Sequence, residues 1–463
     1  MKKVLVIGSG PGGYQAAVRL AKNGISVDIV EKENAGGTCL NVGCIPTKAL
    51  LDHVSLFESV SEKTKKGIFK IEKLGIDIDG LRKYQSEIIS QLRQGLEKNF
   101  SKNKINFIKG NAKLLSSNTV EVNSSEGSKT IGADEIIIAT GSKPRSVPTF
   151  EFDNNLIVSS DNIWNVPSLP ERLLIVGSGP IGIEFARVFN ALGSKVVVSE
   201  IQQRICPLLD VEISEFLVRS LKKRGITVKP NFASKLLKKE NNLAVAEFIS
   251  TVENLKEQGE FNQVLIAVGR KPNTENIGLE NAGVQLDSAS FIQVDKNMRT
   301  NVKNIWAIGD VTNFPQLAHT ASTQAKVVAE NILGKNNVFI PDFIPSCIFG
   351  YPEVAFVGKT EEELKENNIS YKSGKFLFIA SGKAKASGHT EGVVKILMDV
   401  ASHKILGGHI IGPEASNLIQ EIVVAMTNNL TVYDLIDSIH IHPTYSEVVL
   451  EALEDCIGEA IHV

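Results

Sequence analysis

The sequence predicts an α/β chain in which two Rossmann-like dinucleotide-binding units are followed by a C-terminal α+β segment. Three observations carry that fold class. One glycine-rich stretch behind an apolar run occurs twice, later apolar runs end in glycine at matching places, and a different pattern of strands and helix takes over after about residue 343. With 463 residues, 43% of them hydrophobic, the chain has the length and apolar content for about three domains.

Residues 4–13, Val-Leu-Val-Ile-Gly-Ser-Gly-Pro-Gly-Gly, and residues 173–182, Leu-Leu-Ile-Val-Gly-Ser-Gly-Pro-Ile-Gly, are near copies 169 positions apart. The same offset carries Glu31, behind Val27-Asp28-Ile29-Val30, onto Glu200, behind Val196-Val197-Val198-Ser199. Each copy therefore reads as a buried strand, a Gly-x-Gly-x-x-Gly turn, a helix and a second strand ending in an acid. In such a turn Gly8 and Gly177 make the bend, Gly10 and Gly179 admit a pyrophosphate, and Gly13 and Gly182 let helix pack on strand. The helix N-terminus offers unpaired N–H groups to the phosphates. Glu31 and Glu200 are placed to accept hydrogen bonds from a ribose diol, and an acid at Glu200 would repel a 2′-phosphate, which favours NAD over NADP. Two dinucleotides are expected on one chain.

The runs Ile136-Ile137-Ile138-Ala139-Thr140-Gly141 and Val264-Leu265-Ile266-Ala267-Val268-Gly269 read as the last strand of each unit. A further strand, Ile305-Trp306-Ala307-Ile308-Gly309-Asp310, ends in an acid. Asp310 suits a polyol hydroxyl of a long cofactor, and equally a helix cap or a turn.

Composition narrows the function classes. Lys and Arg number 50 against 52 Asp and Glu, and the densest basic cluster, Lys63, Lys65 and Lys66, is small, so no nucleic-acid partner is expected. No run of about 18 apolar residues provides a membrane span. The stretch after Met1-Lys2-Lys3 carries Gly8, Gly10, Gly12 and Gly13 and runs into the first unit, so it reads as folded protein, with a cytoplasmic location, rather than as a signal peptide.

Five cysteines are too few for a disulfide scaffold. Cys39 and Cys44 lie in Gly36-Gly37-Thr38-Cys39-Leu40-Asn41-Val42-Gly43-Cys44-Ile45-Pro46-Thr47-Lys48, directly behind Glu31. Five residues of regular helix rise about 7.5 Å, too far for a bridge, so a disulfide needs a distorted turn of the kind Asn41 and Gly43 allow. Two buried thiols are the plain alternative; a zinc site would need ligands that do not accompany the pair, and no metal is expected. Cys206, Cys347 and Cys456 lie far from any other cysteine in the sequence and read as structural.

With these residues in view, the chain resembles the flavin-dependent pyridine nucleotide–disulfide oxidoreductases over essentially its whole length. The segment Gly36–Lys48, the paired glycine turns, Gly309-Asp310, Pro352-Glu353-Val354-Ala355 with Val357-Gly358, and His440-Ile441-His442-Pro443-Thr444 followed by Glu447 carry the resemblance. It implies that the first unit binds FAD through Gly8, Gly10, Gly13, Glu31, Lys48, Ala112, Thr140, Gly141, Ser142 and Asp310, with Gln316, Leu317, Ala318 and His319 near the flavin ring. It implies that the second unit binds NAD through Gly177, Gly179, Gly182, Glu184, Glu200 and Gly269, with Lys48 and Glu184 paired beside the flavin.

By the same resemblance, Cys39 and Cys44 form a redox disulfide, Cys39 exchanging with substrate and Cys44 facing the flavin. His442, polarised by Glu447, is the base, and it serves the opposite subunit of a homodimer. The implied activity is oxidation of a protein-bound dihydrolipoyl group with reduction of NAD+, in a 2-oxoacid dehydrogenase complex or the glycine cleavage system. The partner would be the lipoyl domain of an acyltransferase or a glycine-cleavage H-type protein.

Residues 1–145 are expected to form the first FAD segment, with a helical insertion near 46–105. Residues 146–271 would form the NAD domain, 272–342 would complete the FAD region, and 343–463 would form the interface domain. In that last segment 392–398 and 405–411 read as strands and 415–428 as helix. Departures from the family pattern are Gln324-Ala325, where Glu-Gly is usual, Pro180 in the second turn, and Asn417 in place of a common Glu.

Overall fold

A computed structural model describes residues 2–165 and 168–462; Val166 and Pro167, inside the segment expected to bind NAD, and the two end residues lie outside that description. The first segment runs β1 (Lys3–Ile7), α1 (Pro11–Lys22), β2 (Ser26–Glu31), α2 (Gly37–Asn41), α3 (Cys44–Lys65), α4 (Ile78–Lys102) and β3 (Asn106–Lys109). Antiparallel β4 (Asn111–Leu114), β5 (Thr119–Ser124) and β6 (Gly127–Gly132) precede β7 (Glu135–Ile138) and β8 (Ser142–Pro144). Next come β9 (Ile157–Ser159), β10 (Arg172–Val176), α5 (Pro180–Ala191), β11 (Lys195–Ser199), α6 (Val211–Lys223) and β12 (Thr227–Lys229). The meander β13 (Phe232–Glu240), β14 (Leu243–Ser250) and β15 (Lys256–Phe261) leads to β16 (Gln263–Ile266). The chain continues through β17 (Arg270–Pro272), α7 (Leu279–Ala282), β18 (Ile305–Ala307) and α8 (Ala318–Ile332). It ends with β19 (Ser346–Ile348), β20 (Glu353–Gly358), α9 (Glu361–Glu366), β21 (Tyr371–Leu377), α10 (Gly382–Ser387), β22 (Val393–Asp399), β23 (Ile405–Gly412), α11 (Ala415–Thr427), α12 (Val432–Ile436) and α13 (Glu447–Ile457).

These elements form two compact units. One comprises the chain up to His53 with Ser59–Arg145 and Arg270–Pro341; the other comprises Val54–Glu58, Ser146–Gly269 and the chain from Asp342 onward.

In the first unit a parallel sheet is ordered β18-β7-β1-β2-β3. Leu5, Val6, Ile136, Ile137 and Ile138 are fully buried because both sheet faces are covered, which is why these strands read as unbroken apolar runs rather than alternating ones. α1 packs on the N-terminal half of α8, where a Cβ on Gly12 would sit 3.3 Å from Ile308 and 3.4 Å from Ala321. The helical insertion is the pair α3 and α4, the latter capped by Asp77, whose carboxylate accepts the Asp79 N–H.

The second unit repeats the parallel sheet as β12-β11-β10-β16-β9. Even the register repeats: Val4 stands opposite Val27, and Leu173 opposite Val196. The same unit holds an antiparallel sheet in the order β19-β20-β23-β22-β21, with α11 and α13 packed on it around Ile396, Ile410, Ile422, Val449 and Leu453. α13 lies so close to β21 that a Cβ on Gly374 would meet the Ala452 carbonyl at 2.1 Å. The expected strands at 392–398 and 405–411 and the helix at 415–428 are β22, β23 and α11, each within a residue.

The strand expected over 305–310 is shorter than its apolar run. β18 ends at Ala307, and Gly309–Val311 turn through one loop of 3-10 helix, started by the left-handed Gly309 at φ +75°. Among the described residues no helix is long and apolar enough to cross a membrane.

Candidate active site

Each glycine turn has two positions that the protein itself requires and one that it does not. A Cβ on Gly8 would meet the Ala139 carbonyl at 2.3 Å, and one on Gly13 the Gly8 carbonyl at 1.9 Å. In the second unit Gly177 and Gly182 repeat both clashes, against Ala267 at 2.4 Å and Gly177 at 2.3 Å. A Cβ on Gly10 would find nothing nearer than Gly37 Cα at 4.0 Å, and one on Gly179 nothing within 4 Å. The middle glycines thus leave open space at the start of α1 and α5, where a pyrophosphate can approach backbone N–H groups. Pro11 and Pro180 begin those helices, so Pro180 sits at a first helical position, where no backbone donor is lost.

The acids are gripped identically. Glu31 Oε2 accepts from Ser9 N at 2.8 Å and Ser9 Oγ at 2.9 Å, and its Oε1 from Glu33 N at 3.0 Å. Glu200 Oε2 accepts from Ser178 N at 3.0 Å and Ser178 Oγ at 2.6 Å, and its Oε1 from Gln202 N at 3.0 Å. Glu31 is 7% exposed and Glu200 8%, and each carboxylate is fixed while lone pairs remain for a ribose diol. The sequence reading missed Ser9 and Ser178 as functional residues, although their shared place in both copies was the signal.

Cys39 and Cys44 are joined in a disulfide with Cα atoms 4.6 Å apart. The approach is possible because the helix breaks: α2 stops at Asn41 and α3 starts at Cys44. Gly43 is needed at the break, since a Cβ there would lie 3.0 Å from the Thr38 carbonyl. Asn41 ties the turn down, donating to the Ala35 and Gly37 carbonyls at 3.0 and 2.9 Å and accepting from Arg93 of α4 at 2.7 Å. Gly36 and Gly37, both left-handed, bring the segment against Gly10. The disulfide therefore stands at the mouth of the first glycine turn, with Cys44 the first residue of a 22-residue helix and Lys48 one turn further on.

The remaining residues expected around FAD fall in the same unit. Asp310 Oδ2 accepts from Ser142 Oγ at 2.6 Å, and Ser142 Oγ accepts from Arg270 Nε at 2.7 Å. Thr140 and Gly141 are braced by Asn273, which donates to the Thr140 carbonyl at 2.9 Å and to the Gly141 carbonyl at 2.9 Å. Gln316 donates weakly to the Asp310 carbonyl at 3.4 Å, Leu317 caps α8, and Ala318 and His319 open its first turn. Ala112 lies on β4 opposite Val122, two residues beyond Gly110, whose N–H donates to the Glu31 carbonyl at 2.9 Å. The departure Gln324 is buried and accepts the Gly309 N–H at 2.7 Å, as a glutamate would.

In the other unit, Glu184 of α5 is buried and accepts the Phe349 N–H at 3.1 Å, and Gly269 is left-handed at φ +99° with open space at its Cβ. Lys48 and Glu184 belong to different compact units. His442 has an 80% exposed imidazole whose Nδ1 lies 2.7 Å from Glu447 Oε1. A carboxylate only accepts, so Nδ1 is the donor of this bond, and the neutral ring with that tautomer has its lone pair on Nε2. Burial pushes the Glu447 carboxyl up, but hydrogen bonds from His442 and the Thr444 N–H outweigh it and hold the group below its ordinary value. Cys206, expected to stand alone, donates its thiol to the Ser178 carbonyl at 2.8 Å, directly under the second glycine turn.

Residues 2–325 match the family model for pyridine nucleotide-disulphide oxidoreductases, and residues 344–453 match that family's dimerisation domain. The chain is 39% identical to a mitochondrial dihydrolipoyl dehydrogenase of Dictyostelium discoideum, over 99% of this chain and 95% of that one. It is 37% identical to a dihydrolipoyl dehydrogenase of Geobacillus stearothermophilus, over 100% and 97%. Among solved structures, LpdA from Mycobacterium tuberculosis shares the fold at TM-score 0.90 and 24% identity, covering 98% of this chain and 99% of that one. The HOCl-induced flavoprotein disulfide reductase RclA from Escherichia coli matches at TM-score 0.86 and 27% identity, with the same coverage.

Proposed function

The chain belongs to the pyridine nucleotide–disulphide oxidoreductase family, and from that premise we propose that it oxidises protein-bound dihydrolipoamide to lipoamide and reduces NAD+ to NADH. The observation that carries this reading is the Cys39–Cys44 disulfide at the mouth of the first glycine turn. Full-length likeness to dihydrolipoyl dehydrogenases supports the substrate.

In this reading the first turn holds FAD through Gly8, Gly10, Gly13, Glu31, Lys48, Ala112, Thr140, Gly141, Ser142, Asp310 and the segment Gln316–His319. The second holds NAD through Gly177, Gly179, Gly182, Glu184, Glu200 and Gly269. When bound, the flavin supplies two-electron transfer from the dithiol to NAD+. The residues of the chain do the rest. His442 Nε2 takes the proton of one dihydrolipoyl thiol, because only a thiolate attacks a disulfide. The thiolate attacks Cys39 Sγ, the Cys39–Cys44 bond breaks, and the electron pair leaves on Cys44.

Cys44 is the better leaving sulfur, since the N-terminus of α3 stabilises its thiolate. The second lipoyl sulfur then displaces Cys39 and closes the lipoamide ring. Two electrons and two protons leave the substrate; NAD+ takes both electrons with one proton, and the other is released to solvent.

Residues 1–145 with 272–342 form the FAD region in this reading, 146–271 the NAD domain and 343–463 the interface of a homodimer, to which the dimerisation-domain match lends support. His442 would serve the disulfide of the opposite subunit, and Lys48 and Glu184 would pair beside the flavin. The dihydrolipoyl group would arrive on an acyltransferase lipoyl domain or a glycine-cleavage H-type protein. A disulfide that must cycle through a dithiol suits the reducing cytoplasm.

The test is steady-state turnover of purified, FAD-loaded protein with dihydrolipoamide and NAD+. NADH should form, with NADP+ a poor substitute and glutathione a poor thiol donor. No NADH from flavin-replete protein overturns the reading.

A further inference from the structure

We propose that Lys395, in the C-terminal antiparallel sheet, is a positioning residue for the second dinucleotide site, holding the segment Glu200–Asp210 in the shape that presents Glu200 to the nucleotide. The inference rests on the reading of that site as the NAD site.

Lys395 lies in the middle of β22, its side chain 1% exposed. Its ammonium donates to both oxygens of Asp210, at 2.9 and 3.0 Å, and to Glu361 at 2.6 Å, with Glu212 at 3.4 Å. Asp210 is fully buried and caps α6, accepting the Glu212 N–H at 3.1 Å and, on its other oxygen, the Glu361 N–H at 3.2 Å. A lysine and an aspartate withdrawn from water add little net stability compared with apolar side chains of the same volume, so their use at this point signals a fixed geometry.

From Asp210 direct hydrogen bonds run back to the ribose acid. Ser214 N–H donates to the Asp210 carbonyl at 2.9 Å, and Ser214 Oγ to the Ile205 carbonyl at 2.7 Å. Its neighbour Cys206 donates its N–H to Ser178 Oγ at 3.0 Å and its thiol to the Ser178 carbonyl. Ser178 grips Glu200 with both its N–H and its hydroxyl. All of these side chains are buried.

Cys206 adopts a left-handed backbone at φ +46°, a conformation a residue other than glycine keeps only where its surroundings impose it. Burial, and then the charge of Glu200, push its thiol far up, so it stays a protonated donor. In the first dinucleotide site the corresponding loop is held differently: the position 169 residues earlier is Gly37, which lies against Gly10 and opens α2, and the Gly36 N–H donates to the Ser9 carbonyl at 3.1 Å.

The experiment uses flavin-loaded full-length protein and titrates NADH and NAD+ directly, alongside steady-state kinetics. Lys395→Met should raise the NAD+ KM and the NADH Kd about tenfold. The dihydrolipoamide KM and the FAD content should stay at parental values, and Lys395→Arg should restore most of the affinity. Because Lys395→Met leaves Asp210 buried without its partner, two further variants accompany it. The double variant Asp210→Asn/Lys395→Met removes both charges, and Ser214→Ala cuts the hydrogen-bond path while leaving the ion cluster whole; weaker NAD binding is expected in both, about threefold for Ser214→Ala.

Parental NAD affinity in folded Lys395→Met or Ser214→Ala overturns the proposal, as does a parallel rise of both KM values, which marks general loosening. If the parent itself fails to bind NADH in the titration, the NAD reading falls instead, and the two failures are thereby told apart.

Discussion

The two dinucleotide sites are built alike up to the acid and diverge immediately after it. Both have a required first and third glycine, an open middle glycine, a proline opening the helix, and a serine that grips the glutamate with two bonds. Six residues beyond the acid, the first site has Gly37 and turns into the disulfide helices; the second has Cys206 and is tied to Asp210 and Lys395. A shared cradle thus becomes a redox site or a plain binding site according to what the next loop carries.

The sharpest way to separate them is Cys39→Ser. Dihydrolipoamide turnover should fall by about 10³-fold or more, as for loss of a covalent nucleophile, while FAD remains bound and NADH still binds the second site. Steady-state kinetics with an NADH titration check both halves. His442→Gln should cost about 10²- to 10⁴-fold in the same assay, the range for a general base, and Glu447→Gln less.

Next in size is the contrast within each turn. Gly13→Ala and Gly182→Ala drive a Cβ into a backbone carbonyl and should destabilise their units by roughly 3 kcal/mol or more, seen as a lowered denaturation midpoint. Gly10→Ala and Gly179→Ala should leave the apoprotein's midpoint unchanged and weaken only the cofactor of their own site, by about tenfold.

The tether of the second site should show in the dependence of stability on pH. Burial opposes the charge of Asp210 and Glu361, but hydrogen bonds outweigh it, from Lys395 first for Asp210 and from Lys365, then Lys395 and Tyr371, for Glu361, which is held at about 2. They stabilise the fold above the ordinary carboxylate range, and that contribution is lost as pH falls from about 4 toward 2. Lys395 is held charged beyond its ordinary 10.5 despite burial, so its contribution is full below that pH and lost above it. Burial keeps His409 neutral, so stability also declines as pH drops below about 6.5, where only the unfolded imidazole takes a proton. Thermal melts across pH 3–11 should show all three limbs, and Asp210→Asn/Lys395→Met should weaken the outer two, while the His409 limb, set first by burial, persists and shifts only through the lost Asp210 and Lys395 charges.

Much of this was legible in the sequence, because the signals are local. The glycine turns, the acids, the parallel strands and the strands and helix of the last segment follow from spacing and apolar pattern alone. The disulfide geometry was half legible: Asn41 and Gly43 marked a distorted turn, and the break between α2 and α3 brings the two Cα atoms to 4.6 Å. Lys395 was not legible, since Val393-Val394-Lys395-Ile396 reads as a strand with one solvated lysine and its partner Asp210 lies 185 residues away. Ser9 and Ser178 were hidden for a smaller reason: a serine between two glycines suits any turn, and only the folded turn aims its hydroxyl at the acid.

The measurement that bears most directly on the whole account is an anaerobic titration of the FAD-loaded protein with dihydrolipoamide, followed by addition of NAD+. Two electrons per subunit should produce a long-wavelength absorbance band from a Cys44 thiolate lying against oxidised flavin, the band should be absent in Cys44→Ser, and NAD+ should erase it with formation of one NADH. Flavin that bleaches without the band, or a band that NAD+ leaves unchanged, would contradict it.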